Sequence, residues 1–224
     1  MTLGNFRDVL SEFAKAGGTS YVAATNSSGL DLVIDRALKV FTRHTYSLYT
    51  VGKSIGVYST EPTYSIAPIW EPTAASINGS TLKNRDGVQG FESLSWLTQK
   101  SGDISLSQTG TPTYAVVMPQ MKLRLWPVPD GSYSLKVNGF SEHASIVGSG
   151  DSAVLEIEDA WADVAIGIAS QLLKAPHADG NSVFGEMMAK DSSLNQRISI
   201  YASQNRGVLQ GPIRRTPYQG RFNI

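Results

Sequence analysis

Residues 29–51, GLDLVIDRALKVFTRHTYSLYTV, contain the change of hydrophobic period that decides the fold. In the first half, apolar side chains recur every three or four positions, as on one face of a helix. This spacing predicts a helix over residues 28–43, with Ser27 or Ser28 as its N-cap and Asp31 in the first turn, where a negative charge suits the helix dipole. From Tyr46 the period becomes two, and the aromatic and β-branched residues that follow favour a strand. The helical stripe consists of Leu30, Val33, Ile34, Ala37, Leu38 and Phe41.

Helices are also predicted at both ends of the chain. Near the N-terminus, apolar residues share one helical face until two glycines at positions 17 and 18. Two more helices are predicted near the C-terminus, from residue 153 to Pro176 and over residues 182–204. Because no amphipathic helix buries its stripe alone, we expect the four to form one bundle. The three stripes are Phe6, Val9, Leu10 and Phe13; Ile157, Trp161, Val164, Ile168 and Leu172; and Phe184, Met187, Leu194, Ile198 and Tyr201.

The middle of the chain is predicted to be an inserted β region. Its strongest hairpin signal is KLRLW at 122–126 and YSLKV at 133–137, which alternate on either side of the turn sequence PVPDG. The predicted fold class is therefore α+β. Residues 1–45 and 150–204 form a four-helix bundle, residues 46–149 an inserted antiparallel β barrel or sandwich, and residues 205–224 an extended C-terminal tail.

The amino-acid composition excludes several classes of function. Of 224 residues, 41% are hydrophobic and 17% charged, which provides a sizeable core and a surface poor in charge. A formal net charge of zero argues against a dedicated nucleic-acid binder. The absence of cysteine excludes disulfides, thiol catalysis and cysteine-based metal sites. No run approaches the roughly 18 apolar residues of a membrane helix, and the first residues lack a signal-peptide pattern, so we expect a soluble protein that is used without secretion.

No catalytic motif is apparent. The histidines His44, His143 and His177 are far apart and have no partner at metal-ligand spacing, so each is expected at the surface or at a helix end. No phosphate-binding glycine loop and no nucleophile elbow is present. The sequence therefore predicts a non-enzymatic protein, with no catalytic, metal-binding or cofactor-binding residues and no cofactor.

An acidic group precedes the third predicted helix, at Glu156, Glu158, Asp159 and Asp163. These carboxylates would suit a metal site or a lysozyme-like hydrolase that uses Glu156 and Asp163. The simpler interpretation is a solvated helix start whose charges compensate the dipole.

Trp70, Trp96 and Trp126 lie in the β region and leave a second alternative open. On an exposed platform they would make the protein a viral carbohydrate- or cell-surface-binding module. Aromatic residues in strands more often belong to the core.

The tail, residues 205–224, contains four arginines, no acid and several apolar residues, and its glycines and prolines disfavour helix. Such a segment does not fold alone, so it orders against a partner, remains inert, or serves as a nucleic-acid arm. Arginines interleaved with aromatic and aliphatic residues favour docking on a protein. The predicted docking residues are Arg206, Arg214, Arg215, Tyr218, Arg221 and Phe222.

Taken together, these segments resemble the head-to-tail adaptor (connector or neck) proteins of tailed bacteriophages. The resemblance lies in the order of helices, β insertion, helices and tail. It also lies in YSLY at 46–49, PTYAV at 112–116, LRLWPVP at 123–129 running into YSLKV, and the acidic, apolar helix near 155–173. A departure is KVNGF at 136–140, where a more uniformly apolar strand often stands.

The resemblance implies a virion protein of the neck, assembled in the host cytoplasm. It implies a homo-oligomeric ring of twelve subunits beneath the portal protein, with a channel through which viral DNA passes without sequence-specific binding. The tail would dock on the portal, and the β region would face a downstream tail or nozzle protein. The resemblance implies no membrane partner. Rings close through heterologous contacts, which suits a surface rich in uncharged residues.

Overall fold

The computed structural model describes residues 1–16, 27–84, 86–101, 108–175 and 178–210. Across these ranges the fold is α+β, with six helices and largely antiparallel sheets. The helices are α1 (Leu3–Ala16), α2 (Ser27–Thr45), α3 (Leu94–Ser101), α4 (Ala162–Lys174), α5 (Gly180–Lys190) and α6 (Ser192–Gln210). The strands are β1 (Tyr49–Val57), β2 (Thr63–Ser65), β3 (Ile69–Ile77), β4 (Ser80–Thr81), β5 (Thr109–Gly110), β6 (Tyr114–Met118), β7 (Lys122–Trp126), β8 (Val128–Pro129) and β9 (Tyr133–Ser141).

Helix α4 is the centre of the helical part because it is apolar on nearly every side. Helices α1, α2 and α5 pack against it, and α6 packs against α2 and α5. A single hydrophobic core thus joins helices from both ends of the chain. Burying one large aliphatic side chain stabilises the fold by about 1.5–3 kcal/mol, so α4 dominates this core. Its buried residues are Ala162, Val164, Ala165, Ile166, Ile168, Ala169, Leu172 and Leu173.

The apolar stripe predicted for α2 is confirmed, since all six of its residues are buried. Asp31, however, lies beyond the first turn, which contains no acidic residue. It is 3% exposed and accepts two hydrogen bonds from Arg7 of α1, from Nε to Oδ1 and from Nη2 to Oδ2, both at 2.7 Å. Asp31 therefore ties two helices together, and its assignment to the first turn was wrong.

The chain leaves β9 and runs along α2 before it reaches α4. The buried carboxylate of Asp35 accepts a hydrogen bond from the backbone amide of Ile146 at 3.2 Å. Arg43 forms an ion pair with the buried Glu142. A buried carboxylate needs such partners because desolvation otherwise disfavours its charged form. These contacts hold the connecting segment against the polar side of α2.

The β part consists of two main sheets that share one core. The first has the strand order β1-β9-β3-β4 and the second β2-β7-β6, while β5 and β8 form a short parallel pair. Neither sheet closes on itself among the described strands, so the arrangement is an open sandwich and the barrel alternative is wrong. The shared core is formed by Val57, Tyr64, Ile66, Ile69, Ala75, Ile77, Leu82, Ala115, Leu123, Leu125, Leu135 and Val137.

The hairpin predicted across residues 127–131 is wrong, because β7 and β9 belong to different sheets. Strand β7 lies between β2 and β6, and β9 lies between β1 and β3. Each strand therefore has both hydrogen-bonding edges occupied by other partners. The connection between them crosses from one sheet to the other and includes β8.

Two hairpins that were not predicted occur nearby. Strands β6 and β7 pair with each other around a turn in which Gln120 and Met121 have φ values of 61° and 53°. Strands β3 and β4 pair around Asn78 and Gly79, with φ values of 47° and 84°. In the two-residue β3–β4 turn, positive φ at both central positions matches the right-handed twist of the paired strands, and Asn-Gly is the residue pair that adopts it most readily.

The third predicted helix begins later than expected. Helix α4 starts at Ala162, after a 3₁₀ turn at Asp159–Trp161. The preceding backbone pairs with the N-terminus, since the Leu155 amide donates to the Met1 carbonyl oxygen at 3.1 Å and the Leu3 amide to the Ala153 carbonyl oxygen at 2.8 Å. Backbone groups engaged in this way cannot take part in a helix that starts at residue 153.

Residues 182–204, predicted as one helix, belong to two helices separated at Asp191. This residue is extended, and its carboxylate accepts hydrogen bonds from the amides of Ser193 and Leu194, each at 3.0 Å. These bonds, the Leu194 amide first, hold the pKa of Asp191 below its usual value. Helix α6 then continues to Gln210, so residues 205–210 are helical and the predicted start of the tail was wrong.

Candidate docking surface

Arg206 lies near the end of α6 and is the one predicted docking residue within the described ranges. Its guanidinium donates to Glu71 Oε1 at 2.9 Å and lies 4.9 Å from the centre of the Tyr46 ring. The neighbouring Asn205 donates from Nδ2 to the Thr45 carbonyl oxygen at 2.9 Å. Because the Arg206 side chain is 47% exposed, its ion pair contributes at most about 1 kcal/mol. Its main effect is to hold the end of α6 on the junction between the helices and the sheets.

The ring beneath Arg206 belongs to an aromatic cluster where the helices meet the sheets. The centre of the Tyr46 ring lies 4.9 Å from that of Phe140, in an edge-to-face arrangement, and 5.2 Å from that of Trp70. Burial raises the pKa of Tyr46, the charge of Glu71 raises it further, and Arg206 opposes both. The cluster therefore gives the last turns of α6 a rigid, largely apolar base.

Helix α6 is attached along a narrow stripe. Trp161 stacks on Tyr201 with ring centres 4.7 Å apart, and the Arg197 guanidinium lies 5.3 Å from the Trp161 ring. Ile198 is the fully buried residue of this stripe, and Leu194 packs partly against the same core. Most other described side chains of α6 are exposed. Much of the described surface of α6 is thus exposed.

A groove of about 260 Å³ lies beside α6, and we call it the exit groove. Its floor contains the buried residues Leu155 and Ile157, while Glu156 and Glu158 are exposed. Burial raises the pKa of Tyr201, and its hydrogen bond and charge interaction with Glu158 raise it further. The groove combines an apolar floor with negative charge. It is lined by Ser47, Leu48, Leu155, Glu156, Ile157, Glu158 and Tyr201.

The five other predicted docking residues lie outside the described residues. They are Arg214, Arg215, Tyr218, Arg221 and Phe222, all within 211–224. The structure therefore places the stem of the predicted docking segment, at Arg206, and the docking role remains a prediction.

The histidines occupy different environments. His143 is 3% exposed, its Nδ1 is bonded to a neighbouring carbonyl oxygen, and its Nε2 accepts from the Glu156 amide at 3.0 Å. The surface position expected for His143 is therefore wrong, because the ring replaces backbone partners inside the connecting segment. His44, in the last turn of α2, stacks on Phe184 with the ring centres 4.1 Å apart. His177 lies outside the described residues.

The four carboxylates around the start of α4, Glu156, Glu158, Asp159 and Asp163, are exposed, as predicted for a solvated surface. Asp159 pairs with the N-terminal amine of Met1 at 2.7 Å, and Asp163 lies in the first turn of α4. Within the part of the chain that the structure describes, no group of three or more acidic or histidine side chains is arranged to hold a metal ion.

The tryptophans of the β part pack against other rings. Trp96, on the unpredicted helix α3, lies 4.9 Å from Tyr114 and 5.9 Å from Trp126, with interplanar angles of 54° and 83°. Trp96 is buried, and Trp70 belongs to the junction cluster beneath Arg206. Rings tilted against each other in this way form a small core and do not make a flat platform.

Sequence reasoning missed both the exit groove and the buried charges along α2. The groove combines residues from segments more than a hundred positions apart, so no local pattern signals it.

No protein-family model matches the sequence, and no curated protein matches it. No helix within the described ranges is long and apolar enough to cross a membrane.

Proposed function

We propose that the chain is a structural virion protein, the head-to-tail adaptor of a tailed bacteriophage. In this proposal it forms a ring beneath the portal protein, of twelve subunits as the resemblance implies, and the ring encloses a channel for the genome. The helices around α4 act as the bundle that stacks side by side around the ring. The β sandwich contacts a downstream tail or nozzle protein. The protein resides in the neck of the virion after assembly in the host cytoplasm.

The observation that carries the proposal is the shared core of N- and C-terminal helices. Residues from Leu3 at one end to Ile198 at the other belong to it, while the sandwich has a separate core. The β part is thus an insertion in a helical unit, which is the arrangement on which the resemblance rests. This arrangement supports the architecture of an adaptor subunit. Ring formation is part of the proposal.

Exposed apolar side chains offer surfaces for neighbours in a ring. They occur on both parts of the molecule, with Val154 74% exposed beside the helices and Val51 75% exposed on β1. Strand β1 is also an edge of its sheet. A heterologous ring needs two different surfaces on each subunit, and these positions can supply them.

The docking role is assigned to residues 211–224, with Arg206 as the base from which they leave. Arg206 already pairs with Glu71 of its own chain, so the arginines and aromatic residues beyond Gln210 are the ones that contact the portal. Arginine and aromatic side chains dominate the binding energy of protein interfaces.

Sedimentation velocity of the chain with and without its portal protein tests the proposal. We expect a ring-sized complex with the full chain and none with a chain that ends at Gln210. Arg206→Lys serves as a control that keeps the charge of the stem. A chain that stays monomeric with its portal under all conditions would contradict the adaptor function, and undiminished binding by the truncated chain would contradict the docking assignment.

A carbohydrate-binding function is the second candidate. A groove of about 590 Å³ in the β part is lined by residue types that hydrogen-bond sugars, among them Tyr49, Glu71, Thr73, Gln89 and Asn138. Screening the chain against a glycan array tests this function, and an array without hits would remove it.

A further inference from the structure

We propose that the exit groove holds the C-terminal segment of its own chain, residues 211–224, until a partner displaces it. The segment is the predicted docking tail, and the groove lies beside the helix from which that tail leaves. Complementary charge, apolar contact and reach each support this occupant.

Charge complementarity is the first support. Glu156 and Glu158 are exposed at the groove. Residues 211–224 contain Arg214, Arg215 and Arg221 and no acidic residue. Arginine forms paired hydrogen bonds with carboxylates, which makes such contacts directional as well as attractive.

Apolar contact is the second support. Leu48, Leu155, Ile157 and Tyr201 supply the apolar lining of the groove. Leu155 and Ile157 are buried, so the partly exposed Leu48 and Tyr201 are the side chains that a peptide can contact most. The segment carries Tyr218 and Phe222 among its arginines. A peptide that alternates cations with aromatic rings can cover an apolar floor while its charges meet the acidic residues.

Reach is the third support. Tyr201 lines the groove, and nine residues of helix, about 14 Å at the usual rise, separate it from Gln210. An extended chain covers this distance in about four residues. The sequence Gly-Pro at 211–212 is typical of a helix end and favours a change of chain direction. A chain that turns back there brings Arg214 and Arg215 level with the groove.

The contacts of the stem hold the end of α6 beside the groove. Asn205 donates from Nδ2 to the Thr45 carbonyl oxygen, and the groove residues Ser47 and Leu48 lie two and three positions further along the chain. A tail tethered so close to its groove has an effective concentration in the millimolar range, so weak contacts suffice to hold it in its own chain. A second copy would have to compete with this tether.

The consequence for assembly rests on the proposed function. A tail held in the exit groove is hidden from non-specific partners and is released when a portal surface offers its arginines better contacts. Docking then also uncovers the acidic groove. As each subunit joins the ring, its tail would leave its own exit groove and bind the portal surface.

Limited proteolysis of the isolated full chain tests the inference. Trypsin cleaves after Arg214 and Arg215, and mass spectrometry follows the release of the C-terminal peptides. The double variant Glu156→Gln with Glu158→Gln is expected to accelerate this cleavage about five-fold, the factor expected for two exposed ion pairs. About 0.5 M salt should accelerate cleavage of the unmodified chain in the same direction.

A matched control removes the same charge elsewhere. Asp163→Asn with Glu186→Gln changes two exposed carboxylates that do not line the groove, and cleavage is expected to stay at its original rate. The reciprocal variant removes charge from the tail: Arg214→Gln with Arg215→Gln should accelerate chymotrypsin cleavage after Tyr218. Circular dichroism checks that each variant keeps its fold.

Two results would overturn the inference. Unchanged cleavage in the Glu156 and Glu158 double variant would show that the groove does not hold the tail. Protection that increases with protein concentration would place the tail on a second copy. Because the portal is absent from this assay, its outcome is independent of whether the proposed docking occurs.

Discussion

Replacing Asp31 with asparagine removes the charge that joins α1 to α2. Arg7 donates two hydrogen bonds of 2.7 Å to this carboxylate, one to each oxygen. An asparagine side chain keeps one acceptor oxygen and presents an amide NH₂ group to the guanidinium in place of the other. The variant therefore retains the shape of the site and loses half of its hydrogen bonding together with the charge.

The expected loss in the free energy of unfolding follows from the burial of the Asp31–Arg7 pair. The Asp31 side chain is 4% exposed and that of Arg7 15%, and breaking a buried pair by removing one partner costs about 3–5 kcal/mol. Arg7 keeps its contacts with Asp151 and with the Ser149 carbonyl oxygen. We therefore expect the lower end, about 3 kcal/mol, a large share of the stability of a single domain.

Urea unfolding followed by circular dichroism measures this cost. Asp151→Asn is the matched control, because this carboxylate also pairs with Arg7 but is 78% exposed, and it should cost less than about 1 kcal/mol. Replacing both buried charges, Arg7→Met with Asp31→Leu, should recover most of the loss, since no charge is then left unpaired. If Asp31→Asn cost no more than Asp151→Asn, the buried pair would not be what holds α1 on α2.

Three further predictions concern the sandwich, the α5–α6 boundary and the tail. Gly139→Ala should cost about 1–3 kcal/mol in urea unfolding, because an added Cβ would lie 2.5 Å from a β3 carbonyl oxygen; Gly110→Ala, with no neighbour closer than 3.8 Å, should be close to neutral. The lowered pKa of Asp191 means that its cap stabilises the fold above the pKa of the unfolded chain, and that this contribution is lost as the pH falls through the folded pKa. Asp191→Asn, which keeps a capping oxygen, should remove this part of the acid dependence of thermal unfolding; an unchanged dependence would assign it elsewhere. A chain that ends at Gln210 should keep its circular dichroism spectrum and lose only about 2–4 °C of melting temperature, since the proposed groove contacts of the tail contribute about 1 kcal/mol; a large loss of helix would show that residues 211–224 belong to the core.

The helices could be predicted where a local stripe decides burial. The residues of α2 repeat at helical spacing, and each predicted stripe residue is buried. The boundaries were harder, because they depend on partners distant in sequence. Pairing of residues 153–155 with the N-terminus delays α4, and the cap at Asp191 divides a stretch whose apolar pattern continues across it. Strand pairing was wrong for the same reason, since a hairpin signal is local and the edges of β7 and β9 are taken by strands from elsewhere.

The candidate site was predictable only in its composition. A run of arginines and aromatic residues without acid is visible in the sequence, and it favours the proposed docking role of the tail. The role of Arg206 was not visible, because its partners Glu71 and Tyr46 are far away in the chain. The exit groove likewise exists only after α6 has packed against the segment that precedes α4.

The apolar character of α4 has a consequence for synthesis on the ribosome. Helices α1 and α2 are complete more than a hundred residues before α4 is made. At translation rates of about 5–20 residues per second, this leaves their apolar faces without their main partner for about 5–25 s. The sandwich, whose core is separate, is made entirely within that interval.

The nascent chain is therefore expected to fold from the middle outward. A chain stalled shortly before α4 should contain a protease-resistant sandwich between N-terminal helices that are still digested. Completion of α4 then gives α1 and α2 their main partner, and the helical core closes once α5 and α6, which contribute Phe184 and Ile198, have followed.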